Sequence, residues 1–273
     1  MPRWLFILLL LGIALLAGCE EPPLEYFEVK RIDEDATAEE LEAFLQIAES
    51  LPDGKFAKMP SVFPPIPDWN RERTLPVREL VQEEQKTHAE RWSSAWLSNH
   101  APSSKRLERE LRRLRMTREQ FYGLYLLFGT TLCSSSIEDQ KSLERALERG
   151  KEIVGRLSAE GRVYAALAEE DAYEVLQQAR WVTLVERLKP LKLVTRPNRE
   201  LVARHAERLR KVLPQEFHAN PLVEFANLMD QNGIPFDEGG LAGRDTDLTW
   251  SPDSALIGTD DAGVTPRAIR KKE

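Results

Sequence analysis

Thr117-Arg118-Glu119-Gln120-Phe121-Tyr122-Gly123-Leu124-Tyr125-Leu126-Leu127-Phe128 is the stretch that decides the fold of this 273-residue chain. It opens as a capping box: the Thr117 hydroxyl can accept from the Gln120 amide while the Gln120 side chain reaches back. At about 100° per residue, Phe121, Tyr122, Leu124, Tyr125, Leu126, Leu127 and Phe128 cover every side of the helix that follows. A helix that is apolar all round has to be buried. At about twelve residues it is too short to span a bilayer, which takes about 20. It is predicted to stand at the centre of a packed helical domain.

The shell around it reads as helix after helix. Thr37 and Glu40 make another capping box, followed by Leu41, Phe44, Leu45, Ala48 and Leu51 on one face until Pro52 and Gly54 stop it. Pro76 suits a first helical turn, and Val77, Leu80, Val81, His88, Trp92 and Trp96 mark a face as far as Leu97. Leu107, Leu111 and Leu114 stripe a helix over 105–115. Ser134, Ser135 and Ser136, with Glu138 three residues after Ser135, read as the cap of a helix bearing Leu143, Ala146, Leu147, Ile153, Val154 and Leu157. Apolar positions from Ala172 to Leu188 stay in register over 169–189, and Pro190 is expected to end that helix. Asn198 reads as the cap of the next, Asn220-Pro221 opens the last, and Gly233 is its expected stop. No alternating strand pattern and no fixed repeat period interrupts the series. The predicted fold class is all-α, a multi-helix bundle of antiparallel neighbours over 37–236.

The flanking segments differ in kind. Six prolines (Pro52, Pro60, Pro64, Pro65, Pro67 and Pro76) make 52–76 irregular, since each fixes φ and removes a donor. Met59, Val62, Phe63, Ile66 and Trp69 within it suggest a Pro-rich strap lying on the domain. Residues 19–36 are acidic and read as a tether, with Leu24, Tyr26, Phe27, Val29 and Ile32 apolar enough to dock part of it as a strand-like strip. Residues 237–273 hold eight acidic and five basic residues against seven large apolar ones. That is too little apolar surface to offset ordering, so a disordered C-terminal tail is expected.

The chain begins with Arg3 and an uncharged apolar run over 4–17. As a helix the run would rise about 21 Å against roughly 30 Å of bilayer hydrocarbon, the layout of a secretory signal rather than a span. Leu16-Ala17-Gly18-Cys19 follows. This resembles the lipobox of bacterial lipoproteins. The resemblance implies a signal peptide over 1–18, cleavage between Gly18 and Cys19, diacylglycerol on the Cys19 thiol and acylation of the new amino end. It places the mature chain on a membrane of the cell envelope. Glu20 rather than Asp after the cysteine favours the outer over the inner membrane. Two or more acyl chains anchor a protein stably, whereas one holds it marginally. With Cys19 so used, Cys133 has no disulfide partner in the chain, and its place beside the apolar run predicts a buried, inert thiol.

A net charge of −7 argues against nucleic acid as a partner. No G-x-S-x-G, H-E-x-x-H or C-x-x-C occurs, and His88, His100, His205 and His218 lack ligand spacing. No catalytic residue, metal ligand or cofactor is assigned, and the reading leans away from an enzyme. His88 and His205, on apolar faces, read as hydrogen-bonded histidines at the core's edge. The notable charge cluster is Lys105, Arg106, Arg109, Arg112, Arg113, Arg115 and Arg118, offset by Glu108 and Glu110. Lys105, Arg109, Arg112 and Arg113 share the face opposite Leu107, Leu111 and Leu114. They form a candidate contact face for anionic headgroups or an acidic partner, weighed against a solvated face that pairs with acidic helices nearby. The leading expectation is a lipid-anchored envelope protein whose helical domain is an interaction or scaffold module with an envelope protein partner. The alternative is a small-molecule binder or enzyme with an inter-helix pocket lined by Tyr122, Tyr125, Trp92, Trp96 and Trp181. A deep polar pocket with convergent ionisable groups would favour the alternative; a filled core with an apolar groove would favour the scaffold.

Overall fold

The computed structural model describes residues 27–52, 59–63 and 65–231. Within them the chain forms α1 (Ala38–Ser50), α2 (Val77–Arg91), α3 (Ser94–His100), α4 (Lys105–Arg113), α5 (Arg118–Ser134), α6 (Gln140–Ala159), α7 (Glu169–Leu193), α8 (Arg196–Val212) and α9 (Pro221–Gln231). Single 3₁₀ turns lie at Tyr164–Ala166 and Gln215–Phe217. The fold is all-α, a packed bundle, with no strand among the described residues. An isolated antiparallel bridge joins Pro76 to Val163.

α5 occupies the centre, as its sequence requires. Every residue from Gln120 to Ser134 is buried, and the Thr117–Gln120 capping box is formed. Two of its buried hydroxyls are satisfied by its own backbone, Thr130 donating to the Leu126 carbonyl at 2.6 Å and Thr131 to Leu127 at 2.7 Å. Around it the core divides in two. One cluster gathers α1, α4, most of α5 and α8, with Phe44 stacked on Phe121 at 5.3 Å. The other gathers α2, α6, α7 and the buried part of α9, and takes Cys133 from the far end of α5 and Ile137 from just beyond it. α5 is therefore the beam that both half-cores share.

Close helix approach is set by glycine. A Cβ on Gly129 would lie 2.7 Å from the Phe217 ring, and one on Gly123 would lie 2.9 Å from the Lys30 carbonyl. The second contact shows that the inner end of the acidic tether is packed against α5, with Phe27 partly buried beside the same cluster. The strap also lies on the bundle: Val62 and Trp69 are buried, and Met59 and Phe63 partly so.

Four local expectations are corrected. The face read as continuous to Leu97 is cut, because Trp92 ends α2 and the Ser93 hydroxyl accepts from the Trp96 amide to start α3. The serine cluster 134–136 closes α5 instead of opening α6; Ser135 and Ser136 donate back to the Thr131 and Cys133 carbonyls, and Asp139 caps α6. Pro190 does not end α7, which runs on to Leu193. An interior proline costs about 3 kcal/mol or more, but Leu191 and Val194, both buried, hold the last turn to the core. The cap of α8 is Thr195, not Asn198, which is turned to a longer-range task described below. The signal peptide, the outer tether including Cys19, the Gly233 stop and the tail 237–273 lie outside the described residues.

Candidate functional site

Of the residues singled out in the sequence, the basic set sits together. Lys105, Arg106, Arg109, Arg112, Arg113 and Arg115 are all exposed along α4 and its end, while Leu107 and Leu111 are buried beneath them. Ser104 caps the helix, its hydroxyl accepting from the Leu107 amide at 3.1 Å. Among the described residues the cluster's ion pairs are made with Glu108 and Glu110. Glu110, on the same helix, takes Arg113 at 2.7 Å and Arg109 at 3.4 Å, and these two cations hold its carboxyl below the usual range. Arg118 pairs with Glu108 at 3.1 Å and donates to the Ala101 carbonyl at 2.8 Å. Pairs on solvent-facing cations are weak and screened by salt, so they leave the cations available to a partner.

The end of α4 carries a further signal. Arg115 has φ 55°. It occupies the left-handed position of a Schellman motif, Met116 N–H donating to the Leu111 carbonyl at 2.9 Å and Arg115 N–H to Arg112 at 3.2 Å. Glycine suits that position, and a side chain there costs about 1–2 kcal/mol. A cation is kept where glycine would be easier. Beside it, Ser103, Lys105, Glu108, Arg109 and Arg112 line an open concavity of about 720 Å³.

The aromatic set does not converge. Tyr122 and Tyr125 adjoin at 6.3 Å, and Trp92 meets Phe63 at 5.2 Å, but Trp181 belongs to the other half-core, against Phe225 at 5.4 Å. Trp96 instead stacks on His100 at 4.4 Å. His205 is half-buried. His88 is fully buried, not at the core's edge, and among the described residues neither ring nitrogen has a hydrogen-bond partner. Burial, with Arg91, Arg187 and Lys189 nearby, pushes it down to about 4, so it is neutral at pH 7. Cys133 is buried as expected, its Sγ 3.5 Å from the Ala219 carbonyl, and burial raises the thiol to about 12.

One constellation was not read from the sequence. Arg187 on α7 donates to Glu224 on α9 at 2.7 Å, and its guanidinium lies 4.2 Å over the Phe63 ring of the strap. Glu216 accepts from the Ser61 hydroxyl and from the Val62 amide at 3.5 Å, and burial pushes its carboxyl up. An open cleft of about 390 Å³ adjoins them, lined by Ile66, Thr183, Leu184, Arg187, Glu224, Phe225 and Asn227. The Arg187 charge is matched by Glu224, and the nearby thiol is protonated. What the arrangement does is hold the strap down on α7 and α9. Nothing in the local sequence marks it, since each pair spans at least 37 residues.

Among the described residues no group of three or more His, Cys, Asp or Glu is placed to hold a metal, and no helix is long and apolar enough to cross a membrane. The exposed large apolar side chains, Val29, Tyr173, Leu193 and Val223, lie on the tether, at opposite ends of α7 and on α9. Fold and surface together define a helical-bundle domain with a basic ridge. No protein-family model matches the chain, and neither a curated protein nor a solved structure is similar to it.

Proposed function

We propose that this chain is a lipid-anchored protein of the bacterial cell envelope whose helical bundle is an interaction or scaffold domain. The observation that carries the reading is Leu16-Ala17-Gly18-Cys19, which follows a charge-free apolar run too short to span. The anchor is Cys19, with cleavage after Gly18. The outer membrane is favoured, and the partner is another envelope protein. The filled core of the bundle and the charge-matched Arg187 cluster are consistent with a binding role. Cys19→Ser tests the anchor: the protein should leave the membrane fraction for the soluble or precursor fraction. Unchanged membrane partitioning with lipid label still attached would defeat the proposal.

A further inference from the structure

We infer that the basic ridge of α4, with Lys105, Arg109 and Arg112 at its centre, lies against anionic phospholipid headgroups of the bilayer that holds the chain through Cys19. This rests on the lipoprotein reading and adds an orientation to it.

The first reason is reach. Seven residues lie between Cys19 and Phe27, which packs against the bundle. Fully extended, the eight steps span at most about 29 Å. A folded domain of about 200 residues has a radius of gyration near 16 Å and a diameter of about 40 Å. A tether shorter than the domain is wide keeps the half it enters turned to the membrane. Phe27 enters beside the cluster that receives Leu107 and Leu111, the buried side of α4, and the Lys30 backbone crosses Gly123 early in α5. The ridge and the tether's point of entry therefore share one half-core.

The second reason is charge. The chain carries −7, yet seven of the fourteen residues over 105–118 are basic and two are acidic. The remainder is strongly negative and is repelled by an anionic surface, so the field turns the ridge towards it. Glu108 stands in the wall of the same concavity but is taken by Arg118 and by the Ser103 hydroxyl, and Glu110 is largely covered and taken by Arg113 and Arg109. The concavity of about 720 Å³ between Lys105, Arg109 and Arg112 is open enough for a headgroup phosphate. Arg115 adds a cation at the one position where the backbone favours glycine. A juxtamembrane cation strengthens partitioning by roughly fivefold, so three should supply about a hundredfold.

The test uses the chain as isolated from the cell, mixed with vesicles of phosphatidylcholine alone or with a quarter phosphatidylglycerol. The anchored chain should float with both. Only with phosphatidylglycerol should amide exchange over 105–115 slow, and high salt should restore it. Without an anchor the chain would not float with phosphatidylcholine, which would remove the lipoprotein reading. The ridge would still be read from flotation with phosphatidylglycerol, weakened about a hundredfold in Lys105→Gln/Arg109→Gln/Arg112→Gln. Equal exchange on both vesicle types, or a triple variant that keeps its melting temperature and binds as tightly as the parent, would overturn the proposal. Loss of capture by polyglutamate beads without any change on vesicles would assign the ridge to an acidic protein instead.

Discussion

Asn198 and Ala36, 162 residues apart, are joined by a part-buried hydrogen bond in which the Ala36 N–H donates to Asn198 Oδ1 at 2.9 Å. The same amide donates through Nδ2 to the Glu34 carbonyl at 2.8 Å, and Thr195 beside it donates to Asp35 at 2.6 Å. The inner tether is thereby sewn to the first turn of α8, and Lys30 adds an ion pair to Glu40 at 3.4 Å. These contacts fix residues 30–36 to the bundle.

Asn198→Ala should remove the side-chain partner of the Ala36 N–H and the Glu34 carbonyl, two part-buried groups around a fully buried side chain. A lost hydrogen bond of this kind costs about 0.5–1.5 kcal/mol, and 1 kcal/mol is worth roughly 2–4 °C in a domain of this size. A fall in melting temperature of about 3–8 °C is expected, with faster amide exchange at Ala36. An unchanged melting curve would show that the tether is not held by this residue.

Gly129→Ala should destabilise by about 1–3 kcal/mol through overpacking, since the new methyl meets the Phe217 ring at 2.7–2.8 Å. Phe217→Leu in the same chain should make the loss less than additive. Gly123→Ala meets backbone instead, so it should loosen the tether at Lys30, read as exchange over 27–36. Strict additivity at 129 and 217 would count against the contact.

Local chemistry was legible before any coordinates, and long-range chemistry was not. The boxes Thr117–Gln120 and Thr37–Glu40 close within four residues, so their sequence contains their geometry. The all-round apolar face of α5 announced its central place for the same reason. Asn198 was read as a cap because both partners of its side chain lie over 160 residues away. Pro190 reads as a stop on propensity alone, and only the burial of Leu191 and Val194 overrides it. The exposed ridge on α4 followed from angular spacing. Arg187, Glu216 and Glu224 were invisible because three segments distant in sequence bring them together.

His88 should make stability fall in acid. Its folded value is about 4 against an ordinary 6.5, so the unfolded chain takes the proton first. Its contribution is complete above about pH 6.5 and is lost as the pH falls towards 4, about 3 kcal/mol in all. Glu216, whose carboxyl is raised by burial, works in the opposite direction over the lower part of that range. Urea midpoints measured from pH 7 to pH 4 should decline, and His88→Leu should flatten the decline. A slope that persists in His88→Leu would place the acid sensitivity elsewhere.

Cys133 should resist thiol reagents at pH 8 in the folded chain and react on unfolding, because burial holds the thiol at about 12. With Cys19 lipidated, denatured protein from membranes should release one reactive thiol per chain. Rapid labelling of native protein would contradict the buried position.

The most direct measurement is the mass of the amino-terminal peptide from membrane-derived protein. A peptide beginning at Cys19, with diacylglycerol in thioether linkage and an acylated amine, is the predicted result. A free Cys19 thiol, or a chain that still begins at Met1, would contradict the anchor and with it the orientation of α4 towards the bilayer.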